Sequence, residues 1–352
     1  MARVPTQFSR EAQLAGKVLE SVQARRALFA LPPEPGLPAL FASAFPESTF
    51  LYHDYAAYLA DKGAARLDGT KLVFAQRCDT AELHDLAVVF LPKGRELIEF
   101  VFSSTSQVME AGAMALVVGQ KRGGIRSSRP LVEKYIGRVV SSAPGRHCVL
   151  MEAKKEVEAE PFEGEKRYCA EIFGKNVQVV TLPGVFSHGE LDEGTEFLLE
   201  QIDPDTLTFK RALDFGCGAG VIGTALKLAR PEAEVDFVDS NVMALEAARR
   251  TLAANGLSPD RVRASDVFSD VRGRYDVIAS NPPYHGGLKT DYTVTQCMIE
   301  EAAQHLTRTG RLVIVTNAYG KYLPYLRKCF RNVQMLDTRR HYRVIEASEP
   351  VR

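Results

Sequence analysis

The run Leu213-Asp214-Phe215-Gly216-Cys217-Gly218-Ala219-Gly220 constrains this chain most, because three glycines one residue apart suit neither a helix interior nor a continuing strand. The apolar stretch Arg211–Phe215 leads into it, and Val221–Ala229 beyond it carries apolar residues at helical spacing. A strand that turns on glycine into a helix opens a βαβ unit. The alternation then continues, with strands at 235–238, Tyr275–Ser280 and 311–316, and helices at Val242–Ala254 and 298–306. Segments 333–338 and 342–347 read as a closing strand pair. Two short apolar runs, 168–173 and 177–182, and a helix near 194–201 precede the glycine turn. Alternation of this kind predicts an α/β fold with a mostly parallel, doubly wound sheet, in which ligands bind beyond the carboxyl ends of the strands.

At 352 residues the chain is longer than one such sheet needs, so two domains are expected. Residues 151–167, rich in Glu and Lys, read as an exposed connection. Upstream of it the same plan recurs in altered form. Pro46-Glu47 precedes Asp54 by the spacing at which Pro231-Glu232 precedes Asp239. Residues 87–94 (AVVFLPKG) echo 277–284 (VIASNPPY), and 110–118 echo the strand at 306–315. Opposite the glycine turn stands FALPPEPG at 29–36, whose prolines remove backbone donors. The expected division is a degenerate domain at 1–155 without a cofactor site, a linker at 156–167 and a catalytic domain at 168–352.

Formal net charge is zero, so any nucleic-acid contact has to rest on local patches rather than on a global field. The six cysteines are scattered without a CxxC pair or a Cys/His cluster, which fits reduced thiols and no metal site. No membrane span is expected, and the residues after Met1 lack the apolar core of a signal peptide, so a cytoplasmic location is expected.

The glycine turn departs from the dinucleotide pattern GxGxxG, since its third glycine comes one place early and Asp214 precedes it. Asp239 ends the next strand, where a carboxylate accepts hydrogen bonds from both hydroxyls of a ribose. Asp266 closes the following segment, within reach of an adenine amine. Aspartate also closes strands because it favours turns, but three in succession suit a ligand with an ammonium, a ribose and an adenine, and no phosphate to repel. Downstream, Asn281-Pro282-Pro283-Tyr284 takes the chain out of the sheet, because two prolines cannot continue a central strand. An exocyclic ring amine is a weak nucleophile. The Asn281 amide oxygen and the Pro282 carbonyl can accept its hydrogens and aim its lone pair, while Tyr284 stacks on the base.

These motifs resemble class I methyltransferases of the NPPY type. More narrowly, the chain resembles the bacterial ribosomal RNA guanine-N2 methyltransferases, above all the small-subunit 16S group. The matching stretches are 182–195 (LPGVFSHGELDEGT), 213–223 (LDFGCGAGVIG), 238–256 and 265–287. The resemblance implies two tandem Rossmann-like methyltransferase domains, the first degenerate, and S-adenosyl-L-methionine as cofactor. It implies that Asp214, Gly216 and Gly218 lie along the methionine and ribose, that Asp239 takes the ribose, and that Asp266 with Val267 takes the adenine. Asn281, Pro282 and Tyr284 would hold the guanine, His285 would contact substrate, and Phe186 with Ser187 would close over the cofactor. Tyr284 stands where several relatives carry Phe.

The implied partner is 16S rRNA within the small ribosomal subunit. Three basic stretches offer phosphate contacts: Lys121-Arg122 with Arg126 and Arg129, Arg272 with Arg274, and Arg339-Arg340 with Arg343. A 23S guanine-N2 methyltransferase and a non-catalytic, cofactor-binding RNA chaperone are the alternatives. Adenine or protein-glutamine methylation and a nicotinamide oxidoreductase stand further off.

Overall fold

A computed structural model describes residues 5, 7–63, 68–145, 147–204, 206–282, 289–319 and 322–351, with 289–294 as backbone only. The chain forms two units, Met1–Gly164 and Glu165–Arg352. The first holds a seven-stranded sheet of β1 (Arg26–Ala30), β2 (Glu47–Tyr52), β3 (Thr70–Phe74), β4 (His84–Phe90), β5 (Met109–Gln120), β6 (Val139–Pro144) and β7 (Cys148–Lys154), in the order β3-β2-β1-β4-β5-β7-β6. The second opens with an antiparallel pair, β8 (Lys166–Ile172) and β9 (Lys175–Thr181). Its main sheet comprises β10 (Arg211–Phe215), β11 (Glu234–Asp239), β12 (Val262–Ala264), β13 (Tyr275–Ser280), β14 (Leu306–Asn317), β15 (Phe330–Arg339) and β16 (Tyr342–Pro350). Their order is β12-β11-β10-β13-β14-β16-β15. In each sheet the first five strands of that order are parallel, the sixth (β7 or β16) runs antiparallel to them, and the edge strand (β6 or β15) pairs antiparallel with the sixth.

Burial explains why the strands read so clearly. Parallel strands are covered on both faces, so they appear as near-continuous apolar runs. Leu213, Ile278, Leu312 and Ile314 are fully buried together with Met298, Ile299 and Ala302 of the helix Lys289–His305. That helix starts nine residues before the expected 298, and the short helix Leu323–Cys329, which carries Pro324 in its first turn, escapes the periodicity reading altogether.

The two sheets superpose by register, not only by order. Arg26 pairs with Glu47 as Arg211 pairs with Glu234. Asp85 accepts from the backbone N–H groups of Arg25 and Arg26, as Asp276 does from those of Lys210 and Arg211. This register corrects two of the sequence echoes. The counterpart of Asp239 is Tyr52, whereas Asp54 corresponds to Asn241. Both of these residues cap a helix, Asp54 through Ala56 N–H and Asn241 through Met243 N–H. The count from the Pro-Glu pair misleads by two residues because the turn before β11 is longer. Likewise Phe90, not Leu91, answers to Asn281. The 110–118 echo holds, with Val118 corresponding to Val315 by register.

The connecting segment is also not free-standing. Glu156 N–H donates to Ile136 O, Gln107 donates to Ala159 O, Phe162 N–H donates to Ser103 Oγ, and Arg77 pairs with Glu163 at 2.7 Å. Polar side chains on the helix Arg95–Gln107 supply partners to a backbone that has no strand of its own. Among the described residues no helix is long and apolar enough to cross a membrane.

Candidate functional site

At the carboxyl end of β10 the chain turns through Gly216, Gly218 and Gly220, whose φ angles are +65°, +53° and +76°. L-residues rarely occupy that region, which accounts for glycine at these positions. Their surroundings differ. A Cβ added to Gly220 would meet the Ala248 Cβ at 3.1 Å, so this glycine serves helix packing. A Cβ on Gly216 or Gly218 would meet nothing within 4 Å. These two leave open room over bare backbone.

Asp239, half-buried at the end of β11, accepts from Gly218 N–H at 3.0 Å and from Asn241 N–H at 2.8 Å. It thus ties the glycine turn to the start of the helix Val242–Ala254. Asp214 is sited differently from the expectation of a residue lying along a ligand. It is 1% exposed and accepts from Gly223 N–H at 2.8 Å, anchoring the first turn of the helix Val221–Ala229 beneath the glycines. Burial raises its pKa to about 8, with the Asp239 charge adding to the rise and the Gly223 N–H opposing it.

Beyond β12, Asp266 is exposed and Val267 has φ +50°, an outlier for a β-branched residue. Ser265 Oγ donates to Val267 O at 2.8 Å and accepts from Asp270 N–H at 3.2 Å, which holds the turn. The buried serine thus holds a strained turn at the end of β12.

The carboxyl end of β13 lies beside that of β10, with Asp214 opposite Ala279. Ser280, fully buried, donates to Phe215 O at 2.8 Å and locks the two strand ends together. Asn281 follows, half-buried. Its Nδ2 donates to Asp192 Oδ2 at 2.8 Å and to Thr195 Oγ1 at 2.9 Å. Pro282 is buried. Tyr284 and His285 lie outside the described residues. In the sequence Asp192 and Thr195 stand out only as members of the stretch 182–195. The Asp-x-x-Thr spacing at the head of an apolar helix was the available signal.

Phe186 is 56% exposed and Ser187 has φ +52°, in the loop between β9 and the helix Glu193–Glu200. The basic stretches divide. Arg126 and Arg129 line an open depression with Ser142, Pro144, Val149 and Met151, and exposed Arg122 sits in the adjoining 3₁₀ turn. By contrast, Arg274 caps Leu306 O, Arg339 pairs with Glu200 and lies over the Phe197 ring at 4.5 Å, and Arg340 reaches Glu193 at 3.4 Å. Among the described residues no group of three His, Cys, Asp or Glu is placed to hold a metal.

The description "Methyltransferase small domain" matches residues 176–346, and "Methyltransferase small domain N-terminal" matches 12–168. A ribosomal RNA small subunit methyltransferase C of Psychromonas ingrahamii is 35% identical over 85% of this chain and 85% of its own length. The protein of the same name from Aeromonas hydrophila is 36% identical over 83% and 84%. This chain belongs to the ribosomal RNA small subunit methyltransferase C family. Among solved structures, the T. thermophilus 16S rRNA N2 G1207 methyltransferase in complex with AdoMet and guanosine matches with a TM-score of 0.80 and 26% identity, over 95% of this chain and 91% of that one. The match spans both sheets, in keeping with two tandem methyltransferase domains. A methyltransferase of this family needs a methyl donor, and the open room over Gly216 and Gly218, flanked by a carboxylate able to accept from ribose hydroxyls, fits the adenosyl cofactor.

Proposed function

We propose that this chain transfers a methyl group from S-adenosyl-L-methionine to the exocyclic N2 of one guanine in 16S rRNA, acting on the small ribosomal subunit in the cytoplasm. One observation carries the reading: a glycine cradle and an acceptor amide stand on adjacent parallel strand ends, joined by the Ser280–Phe215 hydrogen bond. When bound, the cofactor supplies an electrophilic methyl on a sulfonium, which leaves as a neutral thioether.

The chain's residues do the rest. Gly216 and Gly218 give the cofactor close approach to backbone, Asp239 takes the ribose hydroxyls, Asp266 and Val267 the adenine edge, and Asp214 holds the cradle from below. Asn281 and Pro282 accept the hydrogens of the guanine amine, which directs its lone pair at the methyl; Tyr284 stacks on the base, by its place in the Asn-Pro-Pro-Tyr run, and His285, which follows it in the sequence, contacts substrate. The amine's surplus proton passes to water after transfer, so no strong base is required. Arg122 and Arg126 meet RNA phosphates, which position the substrate without specifying sequence. The amino-terminal domain, 1–155, works without cofactor as an RNA-binding and supporting domain; Phe29, Leu31 and Tyr52 stand where the second unit has Asp214, Gly216 and Asp239.

The decisive experiment adds the protein and radiolabelled cofactor to small subunits from cells lacking the modification. Label recovered as N2-methylguanine at a single 16S position is the expected result. Label in 23S rRNA, in adenine or in no RNA defeats the proposal.

A further inference from the structure

We infer that Asp192 and Thr195 form a positioning clamp that decides which end of the Asn281 amide faces the substrate; this deepens the guanine-N2 reading and rests on it. A primary amide has two N–H donors. Both hydrogens of Asn281 Nδ2 are engaged, one by Asp192 Oδ2 at 2.8 Å and the other by Thr195 Oγ1 at 2.9 Å. The end left for substrate is Oδ1, which only accepts. With the amide turned over, Oδ1 would face the carboxylate oxygen, two acceptors in contact with no proton between them. The clamp therefore selects a nucleophile that carries hydrogens, an amine, over a carbonyl.

The clamp is itself held rigidly. Asp192 Oδ2 also accepts from Thr195 N–H at 2.7 Å, capping the helix Glu193–Glu200, so the start of that helix fixes the carboxylate. Thr195 is 8% exposed, and its hydroxyl is set by that first turn. Between the two stands Gly194, where a Cβ would come within 3.0 Å of both Asp192 Oδ2 and the Tyr342 ring. A side chain at 194 would press on both the acid and the Tyr342 ring, so glycine leaves the carboxylate where Asn281 meets it. The carboxylate has a second effect. A charged acceptor on the N–H side polarises the amide and strengthens Oδ1 as an acceptor. The need for it grows as methylation makes the amine hydrogens more acidic.

The test is a double-mutant cycle in the full-length protein, with turnover and cofactor affinity read separately. Thr195→Val keeps the shape and the capping N–H but removes Oγ1. It is expected to lower kcat about tenfold or more, the effect of one unsatisfied buried donor, with the Kd for S-adenosyl-L-methionine unchanged and Thr195→Ser restoring turnover. In an Asn281→Ala background, Thr195→Val is expected to cost nothing further. Asp192→Asn, which retains an oxygen for both N–H groups and loses only the charge, should fall less than Asp192→Ala. Wild-type turnover in Thr195→Val, or an equal loss in the Asn281→Ala background, would overturn the clamp. Methylation of a base other than guanine would sink the substrate reading alone, because the cycle can be read on whichever amine is methylated.

Discussion

The two sheets share a frame and differ at one rim. At the amino ends of their strands they use the same devices, an aspartate bridging two backbone N–H groups and an arginine paired to the glutamate on the next strand. At the carboxyl ends nearly every polar position of the second sheet has become apolar or aromatic in the first. Phe29 stands for Asp214, Leu31 for Gly216, Tyr52 for Asp239 and Phe90 for Asn281. The replacements are buried, except for Leu31, which is partly exposed. Phe29 stacks on Phe50 at 4.5 Å and on Phe41 at 5.4 Å. Leu31 keeps a left-handed φ of +57° where Gly216 has +65°, so the backbone turn outlived the glycine. The amino-end devices are thus common to both sheets, while the carboxyl rim carries polar groups in one and rings in the other.

Making one rim resemble the other tests this contrast. The largest effect is expected from Phe29→Asp, which places a carboxylate inside an aromatic stack. Loss of more than about 4 kcal/mol in urea denaturation of the full chain is expected; a loss near 1 kcal/mol would show that the rings do not hold that rim together. Asn281→Ala is expected to lower kcat at least about a hundredfold, with cofactor affinity by calorimetry within about twofold. Equal loss of both would mean that Asn281 belongs to the cofactor pocket.

Gly216→Leu copies Leu31 into the second sheet. Because a Cβ there meets nothing within 4 Å, the fold should survive with about 1 kcal/mol of backbone strain. Cofactor affinity should fall at least about tenfold, a loss of about 1.4 kcal/mol, and unchanged affinity would move the cofactor away from this glycine.

A pH dependence is expected at Asp214. Its pKa is raised from 3.8 to about 8 in the folded protein, so the folded state binds its proton more tightly than the unfolded chain does. The stability this contributes is complete below pH 4 and is lost as pH rises toward 8. Asp214→Asn keeps an acceptor for Gly223 N–H and cannot ionise. Its melting temperature relative to wild type should therefore climb between pH 5 and pH 8. A constant difference across that range would show that Asp214 is ionised throughout.

The glycine turn, its flanking strand and the helices Val221–Ala229 and Val242–Ala254 were legible residue by residue, because local backbone needs and apolar periodicity are written in consecutive residues. So was the alternation that implies a parallel sheet. Spacing equates Asp54 with Asp239 where register does not, since spacing cannot tell a strand end from a helix cap when a turn changes length. Asp192, 89 residues before Asn281, acquires its contact only when the helix Glu193–Glu200 docks against the end of β13. What the chain determined alone was its local elements and the chemistry of its motifs, through interactions between near neighbours. Which atom of Asn281 faces outward, and whether an acid lines a ligand or supports it from beneath, was decided only by tertiary packing, because hydrogen bonds between distant segments and burial from water exist only once those segments have met.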